Sequence, residues 1–381
     1  MLVHRVVRRA VPEVGVPDQA EPVEQVERAV DGGDVDGGRG LLDARAHLLG
    51  GRVAERPHRV QHELALRCHP HPPLVQSAAQ SPLTTRRVHD LDGKPVGTLA
   101  PMRVLALLDG TLADPDAPLI RIDDLGLVRG DGVFETILVV GGKPRELGPH
   151  LDRLERSAAM LDLPAPDRAG YERAAKAVLD NWSGGAELAL KLVMTRGVEG
   201  GDGTPTGFAL GLEISPKVLA QRAEGIAAVT LDRGIEPGLA ERAPWLLLGA
   251  KSLSYAVNMA ALREAERRGA AEVVFTTSGG SVLEGPTSTL IAVRGRTLTT
   301  PPATLGILPG TTQAVLFQAA EKAGWTVVVE PIAVEDLFTA DAVLLVSSVR
   351  SITRVHTLDG KALPDSTALH AELHALYESQ Y

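Results

Sequence analysis

Lys251 is the residue in this sequence whose setting best suits nucleophilic chemistry. The apolar run before it predicts a buried strand over 244–249, and apolar residues at helical spacing, from Leu253 onward, predict a helix after it. Ser252 or Ser254 could cap that helix. A lysine between a strand end and a helix N-terminus lies beside positive partial charge, which favours the neutral amine that Schiff-base formation requires. The alternative is an ordinary solvated lysine on the surface.

Two further segments carry groups that would complement such a lysine. Glu284 closes the apolar segment 281–283 before a turn, where its carboxylate could keep a nearby pyridine nitrogen protonated; otherwise it is a turn residue. The segment 308–312, Leu-Pro-Gly-Thr-Thr, leads into a predicted helix that begins at Thr311. Free backbone N–H groups, the hydroxyls of Thr311 and Thr312 and the positive helix end would bind a phosphate there, unless this is an ordinary capped helix start.

Side chains elsewhere in the chain could complete the set. Arg153, on a predicted helix over 148–161, could add a fixed positive charge for a phosphate or form a surface ion pair. Ser348 could add a hydroxyl donor and Arg350 a cation for a substrate carboxylate; alternatively both belong to a polar loop. A Schiff-base lysine, an acid facing a pyridine nitrogen and a set of phosphate donors are the parts of a pyridoxal 5′-phosphate (PLP) site. If the fold brings these residues together, they would suit such a site.

The elements that would position these residues mix short strands with helices, which predicts an α/β (α+β) fold. We expect a small α/β domain over 102–215, a linker over 216–223 and a larger PLP-binding domain over 224–381. Helices are predicted over 148–161, 166–182, 311–323 and 367–377, and strands over 103–108, 133–141, 187–195, 207–214, 226–232, 244–249, 271–277, 281–283, 288–293, 297–300, 326–331 and 342–347.

Residues 1–101 differ from the rest of the chain. They are rich in Arg, His, Pro, Gly and Val, contain one lysine, and show no sustained strand or helix period. We expect a non-native or disordered extension, with the natural start near Met102; the competing expectation is a regulatory or docking module. The Cys-His-Pro-His cluster at 68–71 has no second ligand group at a recognised spacing, so no metal site is predicted.

The composition argues against several classes of function. The chain has 381 residues and a formal net charge of −9 at pH 7, which argues against a nucleic-acid or anionic-membrane partner. No apolar run approaches the roughly 20 residues of a membrane-spanning helix. The single cysteine allows no intrachain disulfide, and this favours a cytoplasmic location.

The order of several segments resembles that of fold-type IV PLP enzymes, a family that contains branched-chain aminotransferase, D-amino acid aminotransferase and 4-amino-4-deoxychorismate lyase. The segments are GDGVFET (130–136), HLDRLERSA (150–158), Lys251, VLEGPTST (282–289), LPGTTQ (308–313) and SSVRSITRV (347–355). The resemblance covers essentially all of 102–381. It implies a small α/β domain beside a larger domain with a barrel-like β core, the cofactor between them, and usually a homodimer.

The resemblance also assigns roles to individual residues. It implies that Lys251 is the Schiff-base lysine and that Glu284 is the partner of the ring nitrogen. The implied phosphate ligands are Arg153, Thr311, Thr312 and Ser348. Tyr255 is the local candidate for a tyrosine that contacts the phenolic oxygen of the cofactor. The candidate ligands of substrate carboxylates are Arg129, Arg196 and Arg350.

The choice between members of the family depends on a few positions. The D-amino acid enzymes carry an Arg-x-His pair after a Thr-Arg-Gly strand end, and neither residue follows Thr195-Arg196-Gly197 here. Branched-chain enzymes favour an aromatic, apolar pocket, whereas this chain is 3% aromatic and offers arginines, which suit a substrate with two carboxylates. The resemblance therefore favours a lyase that converts 4-amino-4-deoxychorismate to 4-aminobenzoate and pyruvate in folate precursor synthesis. The alternatives are a class IV aminotransferase acting on branched-chain or D-amino acids and, more remotely, a cofactor-free binding protein that reuses the fold.

Overall fold

The computed structural model describes residues 88–89, 95–96 and 102–381, and all of them belong to one compact unit. The predicted extension 1–101, with its Cys-His cluster, thus lies outside the described residues except for two short strands. These strands, β1 (Val88–His89) and β2 (Pro95–Val96), pair antiparallel. Within this described part, every helix is too short or too polar to cross a bilayer.

The first main sheet has six antiparallel strands in the order β4-β3-β8-β7-β5-β6. They are β3 (Arg103–Leu107), β4 (Leu112–Ala113), β5 (Gly132–Val140), β6 (Lys143–Pro144), β7 (Glu187–Thr195) and β8 (Gly207–Leu212). The helices of this part are α1 (Leu125–Arg129), α2 (Leu147–Met160) and α3 (Arg168–Asp180). Apolar side chains of β5 and β7 pack with those of α2 and α3 in one buried cluster, which includes Ile137, Leu190, Leu154 and Val178.

The second main sheet has eight strands in the order β10-β9-β15-β14-β11-β12-β13, with β16 paired to β15, and it curls into a half-barrel. The strands are β9 (Ile226–Asp232), β10 (Glu272–Thr276), β11 (Thr289–Arg294), β12 (Thr297–Thr300), β13 (Thr326–Val329), β14 (Ala342–Ser347), β15 (Ser351–Leu358) and β16 (Lys361–Ala362). The helices are α4 (Pro216–Glu224), α5 (Leu239–Arg242), α6 (Ala256–Arg267), α7 (Thr311–Lys322), α8 (Val334–Leu337) and α9 (Thr367–Glu378).

Both faces of this second sheet are covered. On one face Ile291 and Leu344 pack with residues of α7 and α9, and on the other Leu290 and Leu345 belong to a separate buried cluster. Strands buried on both sides read as continuous apolar runs rather than alternating ones, as β14 does. The predicted α/β class with a barrel-like core is confirmed.

Two predictions around Lys251 are wrong. The segment 244–249 is not a strand, because Pro244 begins a 3-10 turn, Pro244–Leu246, and Leu247 follows with a φ of 54°. Proline supplies no N–H to a strand ladder, and Trp245 is 74% exposed instead of buried. The helix that follows begins only at Ala256, so neither Ser252 nor Ser254 caps it.

Three other segments also differ from the predictions. The strand β15 was not predicted, because Arg354 and His356 interrupt its apolar pattern while its buried positions include Ser351 and Thr353. In the predicted strand 281–283, Ser281 and Val282 form isolated bridges instead of a strand. The predicted linker 216–223 lies within α4, an element that the sequence did not predict, and Ser215 caps this helix by accepting a hydrogen bond from the Val218 N–H. Its role as a linker stays a prediction.

Candidate active site

A cavity of about 710 Å³ is lined by residues from both main sheets. The structure brings most of the predicted site residues together in its wall. Those that line it are Arg153, Lys251, Tyr255, Glu284, Thr311, Thr312, Ser348 and Arg350. Arg129 and Arg196 are not among the described residues that line it.

Backbone pairing with β5 fixes Lys251 in the cavity wall. The Phe134 N–H donates to the Lys251 carbonyl at 3.1 Å, and the Lys251 N–H donates to Ser157 Oγ at 3.1 Å. Lys251 Nζ lies 4.4 Å from the centroid of the Phe134 ring. Burial lowers the pKa of Lys251 to about 8. Burial, rather than a helix terminus, therefore favours the neutral amine, since α6 begins only at Ala256.

Glu135, His150 and Arg153 form a buried network that joins β5 to α2. Arg153 donates from Nε and Nη2 to the two carboxylate oxygens of Glu135, both at 2.7 Å, and from Nη1 to the Pro309 carbonyl at 3.0 Å. Burial alone would raise the pKa of Glu135, but the hydrogen bonds from Arg153 and His150 outweigh it and lower the pKa to about 2. Glu135 is thus a fixed anion that orients the guanidinium of Arg153.

His150 connects this network to the first turn of α7. Burial lowers the pKa of His150, so its imidazole is neutral at neutral pH. Its Nδ1 lies 2.7 Å from a Glu135 carboxylate oxygen and must carry the proton. Its Nε2, 3.2 Å from Thr311 Oγ1, therefore accepts the hydroxyl proton of Thr311. The Thr311 hydroxyl is occupied, and its backbone N–H is the group it offers to a phosphate.

The start of α7 has the features of an anion site. The Thr312 hydroxyl is buried and has no hydrogen-bond partner among the described residues. Gly310, the residue before the helix, approaches Thr289 so closely that a Cβ would lie 2.4 Å from Thr289 Oγ1. Free N–H groups at a helix start, together with an unpartnered hydroxyl, suit a phosphate group.

Glu284 lies in the wall of the same cavity. Its backbone is tied to β10, because the Phe275 N–H donates to the Glu284 carbonyl at 2.9 Å. The Leu308 N–H donates to its Oε2 at 3.1 Å. Burial raises the pKa of Glu284 to about 7. A pyridinium N–H placed opposite this carboxylate would stabilise its charged form.

The polar groups of Tyr255, Ser348 and Arg350 differ in whether a protein partner already occupies them. The Tyr255 hydroxyl donates to the Pro286 carbonyl at 2.6 Å. Ser348 Oγ accepts from the Leu138 N–H at 2.9 Å, which leaves its hydroxyl proton for another acceptor. Arg350 is bound to the buried Glu272, so its charge is already balanced. Its role toward a substrate carboxylate stays a prediction.

The two remaining arginines pair elsewhere. Arg129 is exposed and lies 2.5 Å from Glu199. Arg196 forms an ion pair with Asp131 at 2.6 Å and donates to the Leu161 carbonyl at 2.6 Å. Neither arginine lines the cavity of this chain, so neither is placed to bind a substrate carboxylate there. Their role as carboxylate ligands stays a prediction.

The cavity also contains cations that the sequence did not identify. Lys191, on β7, and Arg233, just after β9, both line it. Lys191 has no acidic partner within 4.0 Å among the described residues, whereas Arg233 pairs with Glu284. A lone lysine inside the apolar strand β7, like the lone acid Glu135 inside β5, is a signal that could have found the first of them.

The features of this cavity fit a PLP-dependent enzyme, and the comparison with known proteins gives the family. The sequence profile described as "Amino-transferase class IV" matches residues 132–358. The chain belongs to this family, and it is therefore a PLP-dependent enzyme.

Several relatives resemble most of the described chain. It is 44% identical to the bifunctional aminodeoxychorismate lyase / D-amino acid transaminase of Mycobacterium tuberculosis, over 68% of this chain and 93% of that one. A fold IV-transaminase from Curtobacterium pusillum is 45% identical, with a TM-score of 0.69 over 72% of this chain and 99% of that one. The PLP-bound form of a hypothetical aminotransferase from Mycobacterium tuberculosis is 42% identical, with a TM-score of 0.70 over 74% and 100%.

The residues present fit PLP. The orphaned Thr312 hydroxyl, the free N–H groups of α7 and the Arg153 side chain supply donors for the phosphate. Lys251 supplies an amine of lowered pKa, and Glu284 supplies a carboxylate for the ring nitrogen. These individual assignments remain our predictions, and each can be tested by substitution.

Arg153→Ala is expected to weaken cofactor retention. A charge-assisted contact to phosphate contributes about 1.5–3 kcal/mol, so the dissociation constant should rise about 10- to 150-fold. The variant should also melt at a lower temperature, because Glu135 loses its two-point partner. Equilibrium dialysis of PLP measures the first effect, with the exposed Arg156→Ala on the same helix as the matched control. An unchanged dissociation constant in Arg153→Ala would show that this guanidinium only holds Glu135.

Proposed function

We propose that this chain is a PLP-dependent lyase that converts 4-amino-4-deoxychorismate to 4-aminobenzoate and pyruvate. The observation that carries the proposal is the cavity, in which Lys251 and Glu284 share a wall with Lys191, a cation that has no acidic partner in the described part of the chain. The substrate carries two carboxylates as well as an amine, so it complements this set of charges. The similarity to the bifunctional lyase and transaminase supports the same assignment.

The reaction requires one mobile base and a fixed group that accepts electrons. When bound, PLP supplies a ring that withdraws electrons from the amine-bearing carbon of the substrate. The Lys251 amine, with a pKa of about 8, is suited to take the proton from that carbon. The bond from the adjacent carbon to the enolpyruvyl oxygen then breaks, the six-membered ring becomes aromatic, and enolpyruvate takes a proton to become pyruvate.

Lys191 is our candidate for binding a substrate carboxylate. It stands on β7 opposite Thr136 of β5, and both side chains line the cavity. Arg350 is less suited, because Glu272 already neutralises it. The side chain of Lys191 is free of such a pair among the residues described here, so its charge is available to an anion.

Lys191→Met is expected to raise the KM for 4-amino-4-deoxychorismate about tenfold or more, with a smaller change in kcat. The loss corresponds to one charge-assisted hydrogen bond made in the ground state and the transition state alike. Steady-state kinetics measure it, with Lys176→Met on the exposed side of α3 as the control. An unchanged KM would place the carboxylate on another cation.

A second candidate is a D-amino acid aminotransferase, since the relative at 44% identity is described as having both activities. In that reaction Lys251 would again move the proton of the amine-bearing carbon; the amino acid would leave as an oxo acid, and its amino group would pass, by way of the cofactor, to a second oxo acid. One pair of assays separates the candidates: release of 4-aminobenzoate with pyruvate, and oxo acid formation that depends on an added amino acid. Pyruvate without 4-aminobenzoate, or neither product, would refute the lyase proposal.

We further propose a cytoplasmic homodimer that serves folate precursor synthesis. The exposed apolar side chains Ile122, Leu127 and Val128 cluster in and beside α1, where a second copy could cover them. Light scattering on the purified protein measures the mass in solution.

A purified protein that is colourless with added PLP and unaffected by borohydride would instead favour the cofactor-free binding protein.

A further inference from the structure

Arg233 lies in the cavity wall and has no role in the reaction proposed above. It follows β9, and its N–H donates to the Thr276 carbonyl of β10 at 2.9 Å. Its guanidinium lies over the Phe275 ring, 5.2 Å from the centroid. Its Nη1 is 3.4 Å from Glu284 Oε1. Both the backbone and the side chain of Arg233 are therefore anchored on β10, the strand that also holds Glu284.

Arg233 and Glu284 form a pair that is poorly screened by solvent. Their side chains are 18% and 13% exposed, and neither has another oppositely charged partner within 4.0 Å among the described residues. The second carboxylate oxygen of Glu284 accepts the Leu308 N–H at 3.1 Å. One cation and one backbone donor thus fix the two oxygens, while Glu284 still lines the cavity.

Burial and these contacts act in opposite directions on the protonation of Glu284. Burial raises its pKa to about 7, and the Arg233 charge is the largest influence in the opposite direction. The positive charge of Lys251 also favours the carboxylate. Without Arg233, burial would favour the neutral carboxyl more strongly, and a neutral carboxyl does not stabilise a protonated pyridine nitrogen.

We propose that Arg233 is a positioning residue whose guanidinium favours the charged form of the Glu284 carboxylate and fixes it in the cavity wall, where it can face the ring nitrogen of PLP. Arg233 acts through Glu284 and need not touch the substrate. The inference rests on the proposed function only in that Glu284 is taken to face the cofactor.

Three variants separate charge from packing. Arg233→Gln removes the charge, and Arg233→Lys restores a charge without the planar fork. Arg233→Met keeps an apolar side chain over Phe275 and is the variant to use if Gln prevents folding. Arg242→Gln is the matched control, because this exposed arginine forms a surface pair with Glu236.

The first measurement uses the full chain without cofactor. Infrared titration with ¹³C-labelled glutamate follows the Glu284 carboxyl, assigned by its absence in Glu284→Gln. Arg233→Gln or Arg233→Met should move the midpoint upward by about one pH unit or more, and Arg233→Lys should restore most of the shift. An unmoved midpoint in the variants without the charge would overturn the inference, even if they melt earlier.

The second measurement uses the PLP-loaded enzyme. Arg233→Gln should lower kcat about tenfold near neutral pH, shift the rising limb of the pH profile upward and leave KM nearly unchanged. Arg242→Gln should match the parent protein. A parent protein that shows neither lyase nor transaminase activity would refute the proposed function, while the titration without cofactor would still decide the role of Arg233.

Discussion

Lys251→Ala will abolish turnover in both candidate reactions. The expected loss is at least about 10³-fold, because the change removes both the covalent attachment point and the base that moves the substrate proton. The fold should persist, since Lys251 is held by its backbone: its carbonyl accepts from Phe134 and its N–H donates to Ser157 Oγ. Non-covalent cofactor binding should persist too, because the phosphate donors lie on other residues.

Product assays and absorbance together test this expectation. The variant should lack the absorbance band of lysine-linked PLP and should not respond to borohydride. Lys176→Ala is the control and should retain full activity, because Lys176 is exposed and pairs only with Asp180 on the surface. Substantial activity in Lys251→Ala would remove this residue from the mechanism.

The lowered pKa of Lys251 predicts how its reactivity depends on pH. The neutral amine reacts, and its fraction rises with pH through about 8 in the protein without cofactor. At pH 7 roughly one tenth of Lys251 is neutral, compared with less than about one thousandth of an ordinary lysine. Competitive labelling with acetic anhydride should therefore show Lys251 half-reacted near pH 8, well below the surface lysines. Labelling that rises only near pH 10 would contradict the effect of burial.

The sequence predicted those parts of the site that come from short, contiguous signals. Glu284, Thr311 and Thr312 occur in segments whose local pattern is tied to a turn or a helix start, and all three line the cavity. Lys251 also lines the cavity, but the predicted cause of its neutral amine, a helix N-terminus, is wrong. Its burial depends on β5, a strand more than a hundred residues earlier, and such long-range packing leaves no local pattern.

Other members of the site could not be predicted because their meaning depends on what they pair with. Arg350 reads as a free cation in the sequence, but the fold places Glu272 against it. Lys191 reads as one strand residue among many, but the fold places it in the cavity wall with no acidic partner among the residues that the structure describes. His150 and Glu135 explain why the hydroxyl of Thr311 is occupied while that of Thr312 is not, and this relation involves β5, α2 and α7 together.

Glu284→Gln will leave PLP bound but slow removal of the substrate proton. An amide of nearly the same shape keeps the Leu308 contact, yet it carries no charge to favour a protonated ring nitrogen. Loss of a charge-assisted hydrogen bond of about 1.5–3 kcal/mol corresponds to a rate reduction of about 10- to 150-fold. The effect should appear in single-turnover kinetics with an α-deuterated amino acid, where the isotope effect grows as proton removal becomes slower.

Glu284→Gln will also change how stability depends on pH in the absence of the cofactor. The pKa of Glu284 is about 7 in the folded protein and lies near its ordinary value when unfolded, so the folded state holds its proton more tightly. The parent protein should therefore lose stability as pH rises from about 4.5 to 7, and the variant should lose less over that window. Thermal melts between pH 5 and 8 measure this difference, with Glu236→Gln on the surface as the control. If Glu284→Gln retains the full proton-transfer rate, another group faces the ring nitrogen. If it also shows the parent's pH dependence of melting, Glu284 is an ordinary ionised residue. A slower reaction together with a flatter melting profile would establish that Glu284 has a functional charge whose burial destabilises the fold.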